Sequence, residues 1–292
     1  MKLITYDVRS GPRLGALVED RVIDLNEASQ GSLPADMRSF LELGEAGLDT
    51  ARSIVEKASS AARTIPANEV KLLAPILNPS KVIAIGLNYM DHCREQNIEP
   101  PKAPIIFTKF TTSIIDPGDI IQWDPALTDK VDYEVELAVV IGRPTRLVSA
   151  AEALDYVAGY TICNDVSARD LQQGDGQWVR AKSLDTFCPL GPCLVTKDEI
   201  TDPQNLSLRC SVNNEVRQDS NTNEMIFSVR ELIEYTSRAF TLLPGDIITT
   251  GTPDGVGVFR SPPIFLTDGD EVVVEIEGIG QLSNRCEEVN RV

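Results

Sequence analysis

Three carboxylates alternate along the segment VDYEVELAVVIG, at Asp132, Glu134 and Glu136. In a strand, successive side chains point to opposite faces, so these acids share one face and the apolar residues between them share the other. Neighbouring buried acids raise one another's pKa and destabilise the fold unless a positive charge neutralises them. A hydrated outer face is one explanation of the pattern, since many strands have a wet side. A bound cation is the other.

A divalent cation could be held by Glu134, Glu136 and Asp165, which we call the acidic triad. Hard ions such as Mg²⁺ and Mn²⁺ prefer carboxylate oxygens, and two glutamates two positions apart on a strand can share one ion. The third ligand should come from a neighbouring strand. Asp165 ends the apolar run GYTICND, at a place where strands commonly pass into functional loops. Zinc fits poorly, because the chain has a single histidine and no cysteine cluster.

The single histidine, His92, lies in the segment GLNYMDHCREQN, and Glu95 follows three positions later. On a short helix, residues at this interval lie on one face, so Glu95 could orient His92 or share a water molecule with it. Any mechanism that depends on histidine must use this imidazole. The alternative is a surface helix that carries incidental polar residues.

Four further residues suit an anionic ligand. Arg169 and Gln172 fit one turn of a helix, and a guanidinium can hold a carboxylate through two hydrogen bonds. Lys182 precedes a segment with proline and glycine, although a lysine in an acidic chain can simply be a surface counter-charge. The segment TTGTPDGVGVF offers backbone amides and the Thr252 hydroxyl to a small anion, but it lacks the Lys-Ser/Thr ending of a phosphate loop.

The composition predicts a folded, acidic protein that stays in solution. A chain of 292 residues with 42% hydrophobic content can bury a sizeable core. The net charge of -17, without a run of Lys or Arg, disfavours nucleic acid and anionic membranes as partners. No apolar run approaches 18 residues and the first residues lack a secretory signal, so we expect a cytoplasmic protein. The six cysteines lack metal-site spacing, which favours reduced thiols.

Two domains are predicted, a small N-terminal α/β domain over residues 1–74 and a second domain over residues 75–292. The first 25 residues alternate as antiparallel strands with turns between them. Residues 37–63 have helical composition, broken near residues 44–47.

Beyond residue 74 the pattern is mostly β, with short apolar or alternating runs separated by Gly, Pro and Asp. Only two helices are predicted there, near residues 150–157 and 228–241. The fragment PGDII occurs at residues 117–121 and 244–248, and each copy is predicted to be a turn that leads into a strand.

Five blocks occur in an order that resembles the fumarylacetoacetate hydrolase superfamily. They are GLNYMDHCREQ, DYEVELAVVIG, GYTICNDVSARDLQ, AKSLDTFCPLGP and LLPGDIITTGTPDGVG. The match covers roughly residues 75–290. Within the superfamily the chain looks most like the fumarylacetoacetate hydrolase domain-containing protein 2 group, through DTFCPLGPCLVTKDEI and TGTPDGVGVFRSPPIFLTDGDEV.

The resemblance implies an α+β, mostly β fold, with a mixed β-roll or β-sandwich core, a few helices, and assembly as a homodimer. It also implies that the acidic triad holds Mg²⁺ or Mn²⁺. His92 and Glu95 would lie on a mobile lid helix that activates water, and Lys182 would hold the ligand or a metal-bound water. Arg169, Gln172 and Thr252 would contact the substrate.

The activity expected first is hydrolysis of acylpyruvate or fumarylpyruvate-type 2-oxo acids, in which a C–C bond breaks through a metal-stabilised enolate. The paired His92 and Glu95 favour it, because simple tautomerisation needs no activated water. An oxaloacetate keto–enol tautomerase or decarboxylase with the same site is the alternative, favoured by the resemblance to the domain-containing protein 2 group. A non-catalytic metal-binding dimer is a third hypothesis. Animal members of that group are linked to mitochondria, so the mitochondrial matrix is the alternative compartment.

Overall fold

The computed structural model describes residues 1–8, 11–61 and 64–289, and within them it contains nineteen strands and seven helices. The strands are β1 (Lys2–Val8), β2 (Gly11–Val18), β3 (Arg21–Asp24), β4 (Thr64–Pro66), β5 (Lys71–Leu73), β6 (Val82–Gly86), β7 (Ile105–Lys109), β8 (Ile114–Ile115), β9 (Ile120–Trp123), β10 (Val131–Asp132), β11 (Val135–Ile141), β12 (Val157–Asn164), β13 (Ser167–Ala168), β14 (Cys188–Thr196), β15 (Ser207–Val212), β16 (Glu215–Asn221), β17 (Ile247–Thr249), β18 (Glu271–Ile276) and β19 (Gly280–Glu288). The helices are α1 (Leu25–Ala28), α2 (Met37–Glu42), α3 (Gly44–Ala61), α4 (Met90–Gln96), α5 (Arg169–Asp175), α6 (Val179–Lys182) and α7 (Val229–Ala239).

A mixed sheet of twelve strands forms the centre of the protein. Its order is β4-β3-β2-β1-β14-β12-β11-β17-β6-β7, with β5 paired to β1 and β8 paired to β14. The pairs β17–β6 and β8–β14 are parallel, and the other neighbours in this sheet are antiparallel. A five-stranded sheet has the order β16-β15-β18-β19-β9, and β10 pairs with β13 in a two-stranded ribbon. Strands β11 and β12 are therefore interior strands.

Strand β11 is buried on both faces, which explains its nearly continuous apolar sequence. Leu137 and Val139 pack in the larger hydrophobic cluster, and Ala138 and Val140 pack in the second cluster on the other face. A fully buried valine or leucine side chain contributes roughly 1.5–3 kcal/mol to folding. A hydrated outer face is thus the wrong explanation for the acids at the start of this strand.

The N-terminal region confirms most of its predicted elements. Strands β1, β2 and β3 pair antiparallel, and the helical region divides into α2 and α3 at Gly44, whose φ of 59° favours glycine. The end of the predicted helical region, residues 62 and 63, lies outside the described residues. Strand β1 also pairs with β14, so this region extends the central sheet. The domain boundary near residue 74 stays a prediction.

The helix predictions beyond residue 74 were partly wrong. Helix α7 confirms the one near 228–241, and it begins with a capping box between Ser228 and Glu231. Residues 150–157 contain only a 3₁₀ turn, Ala153–Tyr156. The prediction of only two helices beyond residue 74 was also wrong, because α4, α5 and α6 lie there as well. These helices have four to seven residues, too few to show an apolar period.

The fold class and several smaller predictions are confirmed. The protein is α+β with more strand than helix, and the two PGDII turns lead into β9 and β17. All six cysteines are buried free thiols. Among the described residues, no helix is long and apolar enough to cross a membrane.

Candidate active site

The acidic triad lies where β11 begins and β12 ends. Glu136 is directly opposite Cys163 in the antiparallel pair, and the Asp165 amide donates to the Glu134 carbonyl at 2.9 Å. One carboxylate oxygen from each residue of the acidic triad lies within 4.8 Å of the other two, and all three side chains are buried. Three convergent carboxylates are a donor set that suits Mg²⁺ or Mn²⁺.

Three buried cations surround the acidic triad. The Lys182 ammonium lies 2.7 Å from Glu134 Oε2 and 2.8 Å from Asp165 Oδ2. Lys109 Nζ donates to Asp165 Oδ1 at 2.5 Å, and Arg169 Nη2 lies 2.7 Å from Glu134 Oε1. The ammonium of Lys182 thus supplies positive charge between two of the three acids.

The two glutamates of the acidic triad have opposite pKa shifts. Burial alone would raise the pKa of Glu134, but the charges of Lys182 and Arg169 outweigh burial and lower this pKa to about 2. For Glu136, burial followed by repulsion from Asp165 and Glu134 raises the pKa well above its ordinary value. The site therefore favours an additional positive charge next to Glu136, which a divalent cation would supply.

The third acid of the alternating segment, Asp132, has a different role from the acidic triad. Its Oδ2 accepts from Arg169 Nε at 2.8 Å and from the Val258 amide at 3.0 Å, and its Oδ1 accepts from the Gly257 amide at 2.8 Å. Asp132 thereby fixes both the guanidinium beside Glu134 and the glycine-rich loop. Counting Asp132 with the acidic triad, four buried carboxylates face the three buried cations.

Helix α4 places His92 and Glu95 on one face, as their spacing predicts. His92 Nδ1 lies 2.9 Å from Glu95 Oε2, and Glu95 Oε1 accepts from the Gly255 amide at 2.9 Å. The imidazole also packs edge-on against Phe259, with ring centroids 5.8 Å apart. Because Glu95 takes Nδ1, the other ring nitrogen, Nε2, is left for a ligand.

Seven of the nine residues singled out from the sequence line one cavity of about 280 Å³. The other two, Glu95 and Asp165, contact His92 and Lys182 in its lining. One part of the wall is Trp178, which meets Phe107 edge-on. A Cβ on Gly86 would lie 2.2 Å from this indole, so only glycine lets Trp178 pack there.

The structure also shows what the predicted anion-binding residues contact. Arg169 and Gln172 lie in α5 and are joined by a hydrogen bond from Nη1 to Oε1 at 3.0 Å. The Thr252 hydroxyl donates to the Val135 carbonyl at 3.0 Å and accepts from Gln218 Nε2 at 2.8 Å. All three predicted residues line the cavity, but their roles toward a substrate stay predictions.

Sequence reasoning missed Lys109, Gln96 and Trp178. Lys109 is buried at the end of β7 and also donates to the Lys182 carbonyl. The signal in the sequence is a lysine that ends the mostly apolar strand IIFTK. Gln96 follows His92 by four positions, an interval that also shares a helix face, whereas no spacing rule singles out Trp178.

Comparison with known proteins establishes the family. The family model described as "Fumarylacetoacetate (FAA) hydrolase C-terminal" matches residues 81–287. The protein named oxaloacetate tautomerase fahd2, mitochondrial, from Xenopus laevis is 49% identical over 290 residues, which cover 97% of this chain and 89% of that protein. The chain belongs to the fumarylacetoacetate hydrolase family.

Two solved structures share the fold over nearly the whole chain. The fumarylacetoacetate hydrolase from Exiguobacterium antarcticum superposes with a TM-score of 0.86 at 37% identity, covering 99% of this chain and all of that one. The maleylpyruvate hydrolase from Sphingobium sp. SYK-6, in complex with manganese(II) ion and pyruvate, has a TM-score of 0.80 at 30% identity and covers 99% of both chains. The fold prediction is thereby confirmed.

Proposed function

We propose that this protein is a Mg²⁺- or Mn²⁺-dependent oxaloacetate keto–enol tautomerase. The observation that carries the proposal is the 49% identity, over 97% of the chain, to a protein named oxaloacetate tautomerase. The acidic triad, His92 and Lys182 form a site consistent with that activity. The comparisons thus favour the alternative over the hydrolase expected first from the sequence.

The residues that would hold the cation are those of the acidic triad, and the manganese complex of a family member supports this assignment. A bound divalent cation acts as a Lewis acid and stabilises negative charge that develops on the oxygens of a 2-oxo acid. Asp132 and Lys109 would keep the site in shape, since each is buried and bonded to a residue of the cavity or of the acidic triad.

We assign to His92 the removal and return of the proton at C3 of the substrate. The Nδ1 of His92 is taken by Glu95, which fixes the ring and leaves Nε2 to accept or return the proton. Lys182 carries the second group able to move a proton in this cavity, and we assign its ammonium the role of donating to the enol oxygen. Tautomerisation needs only this exchange between C3 and the oxygen on C2, so no water takes part.

Hydrolysis of acylpyruvates is the second candidate, and the contact between His92 and Glu95 favours it. A histidine oriented by a carboxylate can deprotonate water for attack on a distal carbonyl. The maleylpyruvate hydrolase of similar fold gives this candidate further support.

The two candidates are separated by supplying enol-oxaloacetate and acetylpyruvate to the enzyme in Mg²⁺ buffer and following the absorbance of each. We expect loss of enol-oxaloacetate well above the buffer rate, abolished by EDTA and restored by Mg²⁺ or Mn²⁺. A coupled assay for pyruvate tests decarboxylation in the same samples. Hydrolysis of acetylpyruvate, with enol-oxaloacetate decaying at the buffer rate, would establish the hydrolase instead.

A matched pair of variants links turnover to the cation site. Glu136→Gln removes one ligand of the acidic triad but keeps the volume of the side chain, so the protein should fold while activity and metal binding are lost. Glu275→Gln makes the same change on the exposed face of β18 and should leave both unchanged. Calorimetry measures the affinity for the metal, and thermal unfolding measures whether the variant is folded. Unfolding of the Glu136 variant alone would favour the third hypothesis, a structural ion in a non-catalytic dimer.

The compartment follows the same comparison. The relative from Xenopus laevis is named as mitochondrial. This name supports the alternative prediction, the mitochondrial matrix in a eukaryotic host, over the cytoplasmic location expected first, and imaging of a tagged protein decides between them.

A further inference from the structure

Gln96 is the last residue of α4, and it lines the same cavity as Glu134, Glu136 and His92. Its Nε2 atom is buried and has no hydrogen-bond partner among the residues that the structure describes. A buried amide nitrogen without a partner has lost its hydrogen bonds to water and gained none within the protein, which is unfavourable. A ligand that supplies the missing acceptor would remove this penalty.

Gln96 and His92 both line this cavity, and they are one helical turn apart on α4. His92 and Gln96 are four residues apart, so they lie on one face of α4. Long side chains in a helix lean toward its N-terminus, which brings the Gln96 amide back toward the imidazole. A group that binds Gln96 would therefore adjoin the part of the substrate next to His92.

The two cationic groups that line the cavity are each paired with carboxylates of the protein. Lys182 lies against Glu134 and Asp165, and Arg169 lies against Asp132 and Glu134. The Nε2 hydrogens of Gln96, in contrast, remain available.

We infer that Gln96 determines specificity by donating its Nε2 hydrogen bond to the carboxylate remote from the oxo group of a four-carbon 2-oxo diacid. The inference rests on the proposed function, which supplies the 2-oxo carboxylate part of the substrate. It adds a group that selects diacids over monoacids. A neutral amide suits this place, because it binds a carboxylate without adding another buried cation.

Binding of two stable 2-hydroxy acids tests the inference without turnover. L-malate and L-lactate share the carboxylate and hydroxyl head, and only malate has the second carboxylate. In Mg²⁺ buffer, calorimetry should show that the wild-type protein prefers malate by roughly tenfold or more. Gln96→Ala should remove most of this preference and leave the affinity for lactate nearly unchanged.

Two further substitutions and a matched control sharpen the test. Gln96→Glu should weaken malate binding further through charge repulsion, whereas Gln96→Lys should retain the preference through its ammonium. Gln173→Ala removes a glutamine that lines the same cavity but is exposed, so the preference should survive. Each variant is checked by thermal unfolding, because a folded protein is required for the comparison.

The outcomes separate this inference from the proposed function. An unchanged malate preference in folded Gln96→Ala, or its loss in Gln173→Ala instead, would overturn the inference even if enol-oxaloacetate is turned over. A preference that depends on Gln96, in a protein without tautomerase activity, would support the inference and remove the proposed function.

Discussion

Lys109 donates a hydrogen bond to Asp165 across 2.5 Å, and both side chains are fully buried. This pair joins β7, at one edge of the central sheet, to the loop after β12 in its interior. Burial opposes the charge on Lys109, but attraction to Asp165 outweighs it and raises the pKa of the lysine. Lys109 therefore keeps its positive charge, and it fixes one carboxylate of the acidic triad.

Lys109→Met should be strongly destabilising, because it leaves Asp165 buried without this partner. We expect a loss of about 3–5 kcal/mol in the free energy of unfolding, measured with chemical denaturant in EDTA. Saturating Mg²⁺ should restore part of that loss, since the ion replaces the missing charge. Stabilisation by Mg²⁺ that is equal in the variant and the wild type would contradict this coupling.

His92→Ala should lower the kcat for tautomerisation by roughly 10²- to 10⁴-fold, the usual contribution of a general base. The decay of enol-oxaloacetate measures this effect, and unchanged metal affinity serves as the control. Glu95→Gln should have a smaller effect, because the imidazole itself is retained. If kcat is unchanged in His92→Ala, the group that moves the proton at C3 would be Lys182 instead.

Asp24→Asn should destabilise the N-terminal region. Asp24 accepts hydrogen bonds from Tyr6 at 2.7 Å, from Arg13 at 2.6 and 2.8 Å, and from the Glu27 amide at 2.8 Å. We expect a loss of about 2–3 kcal/mol in the free energy of unfolding. Asp20→Asn, at an exposed turn, is the control and should cost little.

The same carboxylate predicts a pH dependence. Burial would raise the pKa of Asp24, but its hydrogen bonds outweigh burial and lower this pKa. Its contribution to stability is thus complete above the unfolded pKa, about 3.9, and is lost as the pH falls through the lower folded value. The difference between wild type and Asp24→Asn should therefore shrink below about pH 4. A difference that grows in acid would contradict this sign.

The homodimer implied by the family resemblance also stays a prediction. Strand β7 is an edge strand of the central sheet, and the apolar residues Ile105, Ile106 and Phe110 are exposed on or next to it. We expect light scattering to give about twice the chain mass of 31.9 kDa. Ile106→Lys should weaken the assembly if this edge takes part. The mass of a single chain at micromolar concentration would refute the dimer.

The sequence predicted the acidic triad because strand alternation is a local rule. Glu134 and Glu136 share a face through their spacing, and the end of an apolar run indicated Asp165. The same rule grouped Asp132 with them, although tertiary contacts give it a different role. Its partners, Arg169 and the glycine-rich loop, are 37 and 125 residues away in the chain.

Lys109 and Gln96 could not be assigned from the sequence for a related reason. Lys109 meets Asp165 only because β7 lies at the edge of a sheet whose strand order departs from chain order. For Gln96, the informative property is a buried nitrogen without a partner, which depends on atoms from several elements. The short helices α4, α5 and α6 could likewise not be predicted from hydrophobic periodicity. They carry His92, Arg169 and Lys182.

A crystal soaked in Mn²⁺ shows whether a divalent cation binds among Glu134, Glu136 and Asp165. We expect one anomalous peak within coordination distance of an oxygen from each residue, with the Lys182 ammonium displaced from its place between Glu134 and Asp165. A saturated crystal that has no peak there, and in which Lys182 still bridges the two acids, would show that these residues do not form a cation site.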